Sequence, residues 1–121
     1  MMELEPGIIY QSEERDHEER KKAYHPFIFL ENVNEETFIG AMLTTKNNAN
    51  YENIVLKKKY FLDDPLPSKE SFFVPNILIK KMDWSPFKKI GKISQEGVKY
   101  ILGHLEGTTP EYFEIYAQKF E

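Results

Sequence analysis

The chain has 121 residues, 40% apolar and 30% charged, with no cysteine and a net charge of −4. That length suits one domain with one core, and the composition is that of a globular chain rather than a disordered one. It excludes a disulfide framework and a thiolate metal site. No apolar run approaches the roughly 20 residues that a membrane-spanning helix needs, and the N-terminus lacks the basic and long apolar regions of a signal peptide. The expectation is therefore a soluble protein of the reducing cytoplasm, with no membrane partner.

The charge is unevenly spread. Residues 1–45 carry a balance of −6, residues 46–92 one of +5, and residues 93–121 one of −3. The middle third could offer a polyanion a local positive face. Its lysines equally suit the solvation of strand ends and edges.

In chain order, "PGIIYQ" (Pro6 to Gln11) reads as a short strand opened by Pro-Gly. Ser12 to Ala23 is polar on every side. Asp16 with Arg20 and Glu18 with Lys22 are i,i+4 pairs that suit an exposed helical turn or a loop. "HPFIFLENV" follows as a strand with Pro26 at its edge or first residue. After the turn "NVNEE", Thr37 to Thr45 is another strand, and "KNNANYEN" is a loop. Ile54 to Phe61 reads as a strand with a charged half. A two-proline turn leads into Phe72–Met82, one bent strand or two short ones, because Pro75 cannot donate to a ladder.

A turn with Trp84 and a lysine cluster then run to Ser94, a helix N-cap with Glu96 in the first turn. Val98, Ile101, Leu102 and Leu105 keep helical spacing, and Gly107 suits the stop. "TTPEYFEIYAQKF" predicts a second helix. Either Thr108 and Glu111 form a capping box, or Thr109 caps with Pro110 at the first position. Its stripe is Tyr112 or Phe113, Tyr116 and Phe120. Five or six strands ahead of two helices predict a mainly β (α+β) chain, a small barrel with helices appended.

The ordered set "PGIIY", a polar loop, "YHPFIFLE", "AMLTTK" and "FFVPNILIKKMDW" resembles the MazF/PemK toxin family. The most specific stretch is "KKMDWSPFKKIGKIS" ahead of an amphipathic helix, and the likeness spans roughly residues 6–107. It implies an SH3-like, partly open barrel, usually a homodimer, with residues 1–121 as one domain and 108–121 an extra C-terminal helix. It also implies an endoribonuclease that cuts single-stranded RNA such as messenger RNA without metal or cofactor. An antitoxin protein would neutralise it, or an RNA antitoxin, as in the ToxN-related toxins that share the barrel.

Metal-free RNA cleavage uses the substrate's 2′-hydroxyl as nucleophile. It needs a base for that proton, an acid for the departing 5′-oxygen and positive charge at the phosphorane. The family has an arginine before the strand-opening proline and a threonine at the end of the third strand. Those catalytic positions fall on His25 and Thr44. Histidine, with an ordinary pKa near 6.5, transfers protons near neutrality but lacks arginine's bidentate grip on phosphate. Arg20, Lys22, Tyr24, Thr45 and Lys46, with Lys88 and Lys89 before the helix cap, are the candidate RNA-binding residues.

Five acidic groups in residues 12–23 oppose an RNA groove there. Trp84 suits a core lid better than a base-stacking platform. His17, His25 and His104 match no compact metal-ligand spacing, so no metal is expected. Two other readings remain: a catalytically inactive SH3-like binding module for protein or nucleic acid, and a CcdB-type gyrase poison.

Overall fold

The computed structural model describes residues 4–12, 25–45 and 53–118. In chain order the elements are β1 (Ile8–Ser12), β2 (Phe27–Asn32), β3 (Thr37–Thr44), β4 (Ile54–Leu56), β5 (Phe61–Asp63) and β6 (Ser71–Lys80). The single turn α1 (Lys81–Trp84), then β7 (Phe87–Ile93), α2 (Gln95–Gly103), β8 (Glu111–Tyr112) and α3 (Phe113–Gln118) complete the described part. One sheet contains every strand, in the order β4-β6-β3-β2-β1-β7-β5, with β8 also against β6. All ladders are antiparallel except β6–β8.

The two ends of that order, β4 and β5, are consecutive in sequence and joined by a 3-10 turn at Lys58–Tyr60. The sheet therefore curls round on itself without hydrogen-bonding its ends together, which makes a small, mainly β, partly open barrel. Helix α2 lies at the seam. Ser94 N–H donates to the Tyr60 carbonyl at 2.8 Å, and the Tyr100 hydroxyl donates to the Val55 carbonyl at 3.5 Å.

Alternation along the strands builds a core on each face of the sheet. Phe27 and Phe29 join Tyr10, Phe38, Phe87 and Trp84 on an aromatic face. Ile28 and Leu30 join Ile9, Ala41, Leu43, Phe73 and Ile93 on the other face, under Ile101 of α2. Trp84, 1% exposed, meets Phe27 edge to face at 5.7 Å and Phe113 of α3 at 4.9 Å. Of the C-terminal aromatic stripe, Phe113 and Tyr116 are buried on the chain's own barrel, and Phe120 lies outside the described residues.

Several elements match expectation. β2 and β3 lie within the predicted strands, β1 runs one residue past its predicted end to Ser12, and residues 71–80 form one bent strand. Its bend is a bulge: the register passes from Gly40↔Ile77 to Met42↔Val74, so Pro75 and Asn76 share the place opposite Ala41. Asn76 takes the left-handed conformation that the bulge requires, with φ 64°. Ser94 caps α2, its side chain accepting from Gly97 N–H at 3.1 Å.

Other elements differ. Residues 54–61 form two strands at opposite ends of the sheet, because the lysines after Leu56 occupy the turn between them. The lysine cluster is a full strand, β7, and brings the described strands to eight rather than five or six. Thr108 caps no helix. Its hydroxyl donates to the Leu105 carbonyl at 2.7 Å, Glu111–Tyr112 pair with β6, and α3 starts only at Phe113. Leu102, placed on the buried stripe from its spacing, is 41% exposed.

Candidate functional site

Pro26 stands just ahead of β2, and its carbonyl accepts from Leu43 N–H at 2.8 Å. This bond carries the β2–β3 ladder one pair beyond Phe27↔Met42. Proline has no N–H to return the second bond, so the pair is held from one side only. The next position in the same register sets His25 opposite Thr44. Their numbers alternate with Phe27 and Met42, so both belong to the aromatic side of the sheet, at its rim. Both are half-buried.

The neighbouring strands extend this line. Thr44 pairs with Phe72 of β6, and Phe72 with Val55 of β4. On the other flank, counting on from Tyr10↔Phe27 brings Ser12 opposite His25, and Ser12 pairs with Phe87 of β7. An imidazole thus stands between two hydroxyl-bearing positions along one rim of the barrel. Ser12, 8% exposed, escaped the reading of the sequence. The available signal was a polar residue continuing the inward alternation of Ile8 and Tyr10.

Thr45 follows Thr44 and is exposed. Lys88 and Lys89, also exposed, lie on β7 beside Gln11 and Tyr10 of β1, two strands from His25 in the sheet order. Arg20, Lys22, Tyr24, Lys46 and His17 lie outside the described residues. Trp84 is interior and cannot stack on a base. The His104 ring is in T-shaped contact with Tyr100 at 4.9 Å and with Phe73 at 5.8 Å. Among the described residues no group of three or more His, Asp or Glu could hold a metal ion.

An imidazole can move protons near neutrality, a hydroxyl can hydrogen-bond a phosphate oxygen, and nearby ammonium groups can hold the rest of a polyanion. Fold and rim together define a small, partly open β-barrel with an imidazole and hydroxyls aligned at one end. A scan against protein-family models found no match to the chain, and a search of curated proteins found none either. No helix among the described residues is long and apolar enough to cross a membrane.

Proposed function

We propose that the protein is a MazF/PemK-like toxin, a metal-independent endoribonuclease of the cytoplasm that cleaves single-stranded RNA, messenger RNA in the cell. The single observation that supports this most is the β2–β3 register, which aligns the half-buried His25 with Thr44. In the reaction, His25 takes the proton of the substrate's 2′-hydroxyl as the 2′-oxygen attacks the adjacent phosphorus. The bond from phosphorus to the 5′-oxygen breaks, and that oxygen leaves with a proton from water. A 2′,3′-cyclic phosphate and a free 5′-hydroxyl result. The hydroxide left behind takes the imidazolium proton, which returns His25 to its neutral form. Thr44 donates a hydrogen bond to a non-bridging phosphate oxygen, where charge builds up.

Thr45, Lys88 and Lys89 hold the flanking phosphates in this reading, joined by Arg20, Lys22, Tyr24 and Lys46. An antitoxin, protein or RNA, would block the rim. A homodimer would use surfaces other than Phe113 and Tyr116, which are engaged with the barrel.

Incubating the purified chain with single-stranded RNA in EDTA tests the proposal. Cleavage that survives chelation and disappears in His25→Ala and in Thr44→Ala supports it. Intact RNA, with undiminished growth on expression, favours the catalytically inactive binding module. DNA damage without RNA decay in expressing cells favours the gyrase poison.

A further inference from the structure

We propose that Tyr60, Tyr100, Lys57 and Lys59 form a subsite for the base and phosphate of a nucleotide flanking the cleavage point of a single-stranded nucleic acid. The proposal rests on the rim being where the phosphodiester is cut. Tyr60, from the 3-10 turn, and Tyr100, from α2, are stacked with ring centroids 5.1 Å apart and an interplanar angle of 25°. Both residues are half-buried. The Tyr60 backbone is held by Ser94 N–H, and the Tyr100 ring by edge-to-face contacts with Phe73 at 6.0 Å and His104 at 4.9 Å. A pre-set aromatic platform takes a base with little ordering cost, and its π-face accepts any base.

The charge beside the platform suits a phosphate. Lys57 and Lys59 are exposed, and the Lys59 ammonium lies 5.3 Å from the Tyr60 ring centre. Lys58 is already engaged. It bonds to Asp64 at 2.7 Å, to the Leu66 carbonyl at 3.1 Å and to the Lys69 carbonyl. Glu96, one turn before Tyr100 on α2, marks the border of opposite sign.

The platform is also in register with the rim. Thr44 is next to Phe72 and Phe72 next to Val55, whose carbonyl receives the Tyr100 hydroxyl. Two inter-strand steps cover about 10 Å. The tyrosine pair packs on the side of the sheet opposite Thr44, so a strand cut at Thr44 crosses Phe72 and rounds β4, the end of the sheet order, to reach it.

The test uses the full chain and a fluorescent 2′-deoxy oligonucleotide, oligothymidylate, whose binding is followed by anisotropy. This probe has no 2′-hydroxyl, so its binding is read independently of cleavage. Lys57→Gln with Lys59→Gln should weaken binding several-fold and lower the slope of log affinity against log salt by roughly 0.7. The charge-matched pair Lys69→Gln with Lys80→Gln should do neither. Tyr100→Leu should weaken binding about tenfold in protein whose melting curve shows it folded, and Glu96→Gln should tighten it.

Absent binding by the wild-type chain, or equal effects of the two lysine pairs, overturns the subsite. RNA cleavage alongside either result overturns the subsite alone. Binding that depends on Lys57 and Lys59 without RNA cleavage leaves the subsite standing and removes the enzyme.

Discussion

Asn76 donates from Nδ2 to the Thr108 hydroxyl across 2.7 Å, tying the β6 bulge to the segment that follows α2. Asn76 is 6% exposed and has positive φ, so one residue serves the backbone turn and the tertiary bond together. Asn76→Gly keeps the conformation and loses the bond, an expected cost of about 1 kcal/mol. Asn76→Val adds a β-branched side chain in the left-handed region, for a total of about 2–4 kcal/mol. Urea unfolding of both variants checks this. Equal midpoints would show that the left-handed conformation constrains nothing.

Two glycines should respond to alanine with opposite sign. At Gly91, in β7, a Cβ would lie 2.6 Å from the Asp63 carbonyl oxygen and 3.0 Å from side-chain atoms of Ile9 and Pro65. The nearest atom is backbone, so β5 has to move, and Gly91→Ala should cost about 2 kcal/mol. At Gly103, the last residue of α2, a Cβ meets nothing within 4 Å. Gly103→Ala should be neutral or gain up to about 1 kcal/mol. Thermal melts of the pair decide it, and a neutral Gly91→Ala would argue against the close approach of β5 to β7.

Tyr10 should make stability decline in alkali. Burial pushes its phenol above the ordinary 10.0, the backbone N–H of Glu5 opposes this with a 3.0 Å hydrogen bond, and the Glu5 carboxylate adds to the rise. The unfolded phenol loses its proton first. Its contribution is therefore complete below pH 10 and is lost as pH climbs through the higher folded value. Tyr10→Phe should start less stable at neutral pH and fall less steeply above pH 10. Parallel alkaline slopes for the two proteins would contradict this.

The sequence disclosed what local chemistry controls. Pro6-Gly7 before β1, Pro26 before β2 and the Ser94 cap are punctuation whose meaning lies within a few residues. β7 was hidden because Lys88, Lys89 and Lys92 break the alternation, although Phe87, Gly91 and Ile93 are its buried positions. Its place between β1 and β5 is set by partners about 80 and 30 residues away, which no short window contains. The start of α3 is hidden for a similar reason. Thr108 and Thr109 have the chemistry of a helix cap, yet Asn76 claims the Thr108 side chain and the edge of β6 pairs with Glu111 and Tyr112. At the rim, the family resemblance sets His25 and Thr44 at one phosphate. Ser12 joins them only once three strands are laid side by side.

Two oligonucleotides of one sequence, one all-ribose and one all-2′-deoxy, test the claim that His25 and Thr44 turn the substrate's own 2′-hydroxyl on its phosphodiester. Both are incubated with the protein in EDTA, and the product ends are read by mass spectrometry. The expected result is cleavage of the ribose strand alone, leaving 2′,3′-cyclic phosphate and 5′-hydroxyl ends, with none in His25→Ala. Cleavage of both strands, or of neither, would contradict the account.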